Sequence, residues 1–144
     1  MPSPALTTLP EHVRRFLAER RFASIATVDP DGTPRQAVIW YRLDGDELVI
    51  NSLEGRRWPT NLRRDPRISI AVTDAVETSW VGLNGVAEVV EDQATAQADI
   101  AAMARFYHAD DPAHAEDLIR TRFQAQRRVS FRIRPTAIHD HIED

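Results

Sequence analysis

Cysteine is absent from the chain, which removes thiol nucleophiles, iron–sulfur clusters, thiolate zinc sites and disulfides together. Lysine is absent as well: all 18 basic side chains are arginine. Schiff-base chemistry, including covalent attachment of pyridoxal phosphate, is thereby excluded. Any bound anion must be held by arginine or by backbone. No G-x-G-x-x-G stretch, Walker loop or glycine-flanked nucleophile elbow occurs, so Rossmann sites, P-loop sites and hydrolase chemistry have no positive support. No apolar run approaches membrane-spanning length and no signal-peptide pattern opens the chain, so a cytoplasmic protein without a membrane partner is expected. A net charge of -4 argues against general nucleic-acid binding.

What is present is ordinary globular composition, with 42% hydrophobic and 28% charged residues over 144 positions. That length fits one domain with a sizeable core, expected over residues 9–144 behind an N-terminal arm at 1–8. The most informative stretch is residues 51–67. It starts as the end of the apolar run Leu48-Val-Ile50, passes Gly55, and becomes a short basic helix closed by Asp65-Pro66. A strand that delivers Asn51 and Ser52 beside arginines at a helix start is a candidate anion pocket. Helix N-termini carry unpaired N–H groups and partial positive charge, and arginine adds a bidentate fork. The competing reading is a solvated basic helix between two strands.

Along the chain, Thr8 and Glu11 have capping-box spacing, and Val13, Phe16 and Leu17 form the apolar face of a first helix. Residues 22–28 read as a strand ending in the turn Asp29-Pro-Asp-Gly32. Residues 34–43 read as its partner and 47–53 as a third strand, together an antiparallel meander. Residues 67–73 alternate cleanly as a fourth strand, and 79–91 form a fifth with a bulge or sharp bend at Gly82 and Gly85. Helices are expected at 93–108 and 112–125, a sixth strand at 127–134 and a short last one at 136–142. Six or seven antiparallel strands with a few short helices predict a small α+β barrel.

His139 and His141 share a strand face near Asp140 and Glu143, but without a third ligand at obvious spacing they read as solvated rather than metal-binding. His108 and His114 flank an inter-helix turn and read as surface residues. Trp40, Trp58 and Trp80 are individually better read as core or interface; clustered around a planar ring they would be stacking walls.

The order strand, Asp-Pro-Asp-Gly turn, strand with Trp40, strand, Glu54-Gly-Arg-Arg57, Asn61-Leu-Arg-Arg-Asp-Pro-Arg67, supported by Arg127-Arg-Val129, resembles the pyridoxamine-phosphate-oxidase-like split β-barrels. Within these it most resembles the deazaflavin-dependent oxidoreductases that use coenzyme F420. The likeness runs from about Leu9 to His139. It implies a homodimer with a cofactor groove at the subunit interface and a small-molecule substrate. It also implies a phosphate near Asn51, Ser52, Arg56, Arg57, Trp58 and Asn61, and a ring above Arg35, Gln36, Ala37 and Val38. Trp80 would border the groove, from the partner if not from the same chain, and Arg127 and Arg128 would face the acidic tail of the cofactor. Trp58 stands where many relatives carry a phosphate-binding lysine; tryptophan cannot neutralise charge, and Arg35, Arg56 and Arg57 are the residues placed to compensate. The resemblance implies an oxidoreductase moving a hydride between reduced F420 and an unsaturated or electrophilic organic molecule. FMN-dependent oxidase or reductase chemistry and a non-catalytic flavin or haem carrier stay open beside it. No catalytic acid or base is identified and none is strictly required, because the cofactor carries the chemistry. Water or the Tyr41 hydroxyl is the candidate proton source.

Overall fold

The computed structural model describes residues 6–76 and 78–142. Its elements are α1 (Glu11–Ala18), β1 (Ala23–Val28), β2 (Pro34–Ile39), β3 (Arg42–Asp44), β4 (Glu47–Leu53), α2 (Arg57–Arg64), β5 (Arg67–Thr73), β6 (Trp80–Val90), α3 (Gln93–Tyr107), α4 (Pro112–Thr121), a 3-10 turn (Phe123–Ala125) and β7 (Arg128–His141). The seven strands form one antiparallel sheet in the order β2-β1-β5-β6-β7-β4-β3, curled into the half-barrel of an α+β split barrel.

The meander is corrected. Residues 34–43 are two strands at opposite edges of the sheet, with Trp40 and Tyr41 carrying the chain from one edge to the other. Tyr41 is 2% exposed, and its backbone N–H donates to the Tyr107 hydroxyl at 3.2 Å instead of to a neighbouring strand. Its own hydroxyl donates to the Leu17 carbonyl at 2.7 Å. The crossing is thus pegged from α3 on one side and α1 on the other.

Two further expectations change. The first helix starts at Glu11 with Pro10 as its N-cap and no side-chain cap, so Thr8 forms no capping box. Proline has no N–H to be capped, and its fixed φ suits the entry to the helix. At the other end, the two expected C-terminal strands are one, because β7 pairs with β6 from Ser130 to His141 through a register shift at Asn84/Gly85. A Cβ on Gly85 would lie 2.8 Å from Ile133 Cγ2 and 2.9 Å from the Arg134 carbonyl oxygen. Only glycine permits that backbone approach, which is why the bend falls there.

The main core is built by the inner sheet face, including Ile25, Ile50, Ile70, Leu83, Phe131 and Ile133, with Val13, Phe16 and Leu17 of α1 and Trp58 and Leu62 of α2. A second cluster packs Ile100, Met103, Ala104 and Tyr107 of α3 with Ile119, Phe123 and Val49. Among the described residues no helix is long and apolar enough to cross a membrane.

The crossing depends on one hydroxyl. Tyr107→Phe leaves the buried Tyr41 N–H without its partner, and equilibrium denaturant unfolding should show a loss of about 1–3 kcal/mol. An unchanged midpoint would mean that the crossing holds without the phenol.

Candidate functional site

A pocket of ≈ 320 Å³ opens where the end of β2, the crossing, the end of β4 and the start of β7 come together. Val38, Trp40, Phe22, Ile100, Met103 and Phe123 supply its apolar wall; Asn51, Ser52, Arg56, Arg122, Gln126 and Arg128 supply the polar one. A volume of this size lies within the range of small-ligand sites, roughly 300–1,000 Å³. No aspartate, glutamate or histidine lines it among the described residues.

Each polar group has a local reason for its place. Arg128 opens β7 opposite Leu53, one position along from the Ser52–Val129 pair. Its Nε donates to Asn51 Oδ1 at 3.0 Å, its Nη1 to Gln126 Oε1 at 2.6 Å, and its guanidinium lies 5.0 Å from the centre of the Phe123 ring. The side chain is buried, yet no carboxylate lies within ion-pair distance of it among the described residues. Burial, and after it the charge of Arg56, pulls this guanidinium down to about 10. A buried cation under that pressure gains more from an anion than an exposed one does. Arg56 is the N-cap of α2 and Arg122 the junction between α4 and the 3-10 turn; both are exposed, and neither forms an ion pair among the described residues. The first turn of α2 has no side-chain cap.

The expected site residues separate into three groups. Val38, Asn51, Ser52, Arg56, Trp58 and Arg128 meet in the pocket. Arg35, Arg57 and Asn61 instead converge on Asp29: Arg35 Nη2 donates at 2.8 Å, Asn61 Nδ2 at 2.9 Å, and Arg57 Nη1 lies at 3.5 Å. Asn61 also donates to Thr27 Oγ1 and is 1% exposed, so it ties α2 to β1. Gln36 and Ala37 lie on the edge strand β2, Arg127 is exposed beside Arg128, and Trp80 stacks on His141 at 4.2 Å, away from the pocket lining. Trp58 touches the pocket but is 6% exposed and packs against Phe131. The Tyr41 hydroxyl, spent on Leu17 and raised far above its usual range by burial, does not line the pocket. Phe22, Ile100, Met103, Arg122, Phe123 and Gln126 were not legible as site residues. Their one signal is the arginine and glutamine cluster that flanks the break after α4.

His139 is exposed on β7, Asp140 pairs with His12, and Glu143 lies outside the described residues. Among the described residues no group of three or more histidine, cysteine, aspartate or glutamate side chains could hold a metal ion.

The family model described as pyridoxamine 5'-phosphate oxidase matches residues 9–142. Among solved structures, an F420 reductase is similar at 24% identity and a TM-score of 0.72, covering 91% of this chain and 98% of that one. A conserved hypothetical protein from Mycobacterium tuberculosis is similar at 24% identity and 0.76, covering 97% and 91%. The haem storage protein HutZ from Vibrio cholerae is similar at 21% identity and 0.66, covering 93% and 95%. At these identities the likeness is one of fold. No curated protein matches the chain.

Asp29 makes the α2 anchor sensitive to acid. Arg35 first, then Asn61, hold its carboxyl at about 2, below the ordinary 3.8. A lowered folded pKa means that the stabilisation is complete above the unfolded value and is lost as pH falls through the folded one. Thermal midpoints should therefore drop between about pH 4 and pH 2. In Asp29→Asn that drop should be shallower, from a lower starting point at neutral pH. Parallel curves for the two proteins would remove Asp29 as the cause.

Proposed function

We propose, from the premise that the chain belongs to the pyridoxamine 5'-phosphate oxidase family, that it is a coenzyme F420-dependent oxidoreductase acting on a small unsaturated or electrophilic organic molecule. Its family is one of flavin-binding split barrels. The observation that carries the reading is Arg128: a buried guanidinium without a carboxylate partner among the described residues, facing a pocket to which Arg56 and Arg122 bring two more charges that are unpaired among those residues. Such a site fits a ligand that is anionic at one end and planar and apolar at the other, as a deazaflavin with its phosphate and acidic tail is. When bound, that group supplies the hydride chemistry.

In this reading Arg56 and Arg128 hold the phosphate, Ser52 and Asn51 shape its floor, and Arg122 and Arg127 meet the tail. Val38, Phe22 and Trp40 wall the ring side and exclude water. Trp40 is fixed for this by stacking on Tyr107, with ring centres 5.0 Å apart and an interplanar angle of 6°. The product's proton comes from water, since no lining side chain among the described residues is an acid and the Tyr41 hydroxyl is committed elsewhere.

The outer sheet face supports a homodimer with the groove at its interface. Two rows run across five strands without a charge: Val38, Ser24, Ala71, Gly82, His139, and Gln36, Ala26, Ser69, Asn84, Ala137. Such a face is unusual in a chain with 28% charged residues, and it suits close contact with a second copy. Val38 belongs both to this face and to the pocket. A second copy seated there would wall the groove, and the partner's Trp80 would then border it.

Titration with F420 and, in parallel, with FMN, read by tryptophan quenching, tests the cofactor. Saturable binding of F420 in preference to FMN is expected; the reverse preference points to the FMN-dependent enzyme. Arg56→Ala should weaken F420 binding by about 1.5–3 kcal/mol, on the order of 10- to 150-fold, without changing the melting temperature. Arg57→Ala, whose guanidinium faces Asp29, should change binding far less. Equal losses in the two variants would move the phosphate away from Arg128.

Ala71→Arg places a charge in the middle of the uncharged face. Sedimentation should show a dimer for the wild type and a monomer for the variant, with F420 binding lost alongside. A dimer that survives Ala71→Arg lies on another face.

A further inference from the structure

We infer that Asp99, on α3 and outside the pocket lining, is the positioning residue of the anion site: through Ser130 and Asn51 it fixes the direction in which Arg128 is held. The inference deepens the reading of the pocket as an anion site and rests on it.

Four buried side chains form one continuous relay. Ser130 Oγ donates to Asp99 Oδ2 at 2.8 Å. Asn51 Nδ2 donates to Ser130 Oγ and to the Ala96 carbonyl, each at 2.9 Å. Arg128 Nε donates to Asn51 Oδ1 at 3.0 Å. The direction of every bond follows from the first. A carboxylate only accepts, so the single proton of Ser130 is spent on Asp99 and its oxygen must accept from Asn51. Both amide protons of Asn51 are then committed to Ser130 and Ala96, which leaves its carbonyl oxygen for Arg128 and rules out the flipped amide. A flipped Asn51 would present N–H to N–H and release the guanidinium.

The same carboxylate does not cancel the charge it positions. Asp99 Oδ1 accepts from Arg42 Nη2 at 2.9 Å, so its ion pair is made on the side away from Arg128. Two neutral groups separate it from the pocket cation. With Nε held by Asn51 and Nη1 by Gln126, the remaining N–H groups of Arg128 have no partner among the described residues and are left for a pocket ligand. An asparagine at position 99 can donate as well as accept, so the proton of Ser130 would lose its fixed direction and the relay its polarity.

The test uses the full chain, with inorganic phosphate and F420 as probes, and reads ¹⁵N-resolved NMR signals of Arg128 Nε–H and the Asn51 side-chain amide. Asp99→Asn removes the anchor; Ser130→Ala breaks the relay while leaving the Asp99–Arg42 pair intact, and so serves even if the first variant folds poorly. Both should lower affinity for either probe about tenfold and shift or broaden the Arg128 and Asn51 signals, whereas Arg42→Gln, outside the relay, should stay within about twofold of wild type. If Ser130→Ala binds as tightly as wild type with the Arg128 signal unmoved, the relay is overturned. It is equally overturned if Arg42→Gln loses as much affinity as Asp99→Asn, because Asp99 would then only tie α3 to β3. A wild type that binds neither probe defeats the pocket reading instead, and the Arg128 signal in Ser130→Ala then decides the relay without a ligand.

Discussion

The Tyr107 phenol is where the chain's two sheet edges are joined. It accepts the Tyr41 N–H at 3.2 Å and donates to the carbonyl of Arg21, and its ring stacks on Trp40 and lies 5.7 Å from Phe22. One side chain at the end of α3 therefore fixes the crossing, the start of β1 and two apolar residues of the pocket. Without the crossing, β2 and β4 would be neighbours in a flat meander, and Val38 would have no reason to face the polar end of β4. The pocket exists because the sheet curls, and the curl is closed by a dipeptide whose second residue, Tyr41, makes its backbone hydrogen bonds with a side chain of α3.

Charge is sorted by the same architecture. With no lysine in the chain, arginine carries its fixed positive charge, and most of its copies are committed in ion pairs: Arg132 and Arg134 to Glu47, Arg63 to Glu54 and Glu91, Arg35 and Arg57 to Asp29. Exposed pairs of this kind add little stability one by one. Their effect is to leave positive potential where pairs are missing, and among the described residues Arg56, Arg122 and Arg128 lack theirs around one cavity. Low polarisability around a buried guanidinium makes that imbalance count for more there than on the open surface.

Local signals were legible where local physics decides. The turn at Asp29-Pro-Asp-Gly32, the alternation of β5 and the basic helix α2 all follow from side chains within a few positions, and the glycine at 85 marked a bend whose cause, the approach of Ile133 and Arg134, lies on another strand. The crossing at Trp40 was not legible, because residues 34–43 alternate as a strand should and the peg that breaks them comes from Tyr107. The same division holds for the site. Asn51, Ser52 and Arg56 could be placed beside an anion from strand-then-helix logic. Arg122 and Gln126 could not, since they reach the pocket only through the packing of α4 and the 3-10 turn against β4. For Arg57 and Asn61, side-chain direction decided: both sit in α2 and both turn toward Asp29.

Trp58 is where this chain's own residues matter more than its fold, because a fold fixes a pocket's place and leaves its chemistry to the side chains. Filled by lysine, the position would bring a charge to the start of α2. Here the indole packs on Phe131, 6% exposed, and closes the pocket's inner wall with carbon. The charge is supplied instead from the start of β7, by Arg128, with Arg122 and Arg56 lining the same pocket. A lysine is a mobile point charge, whereas Arg128 is held at Nε and Nη1 and offers a planar fork. In the proposed reading a flexible contact to phosphate would give way to a directed one, and direction is what a relay reaching Arg128 through Asn51 can enforce.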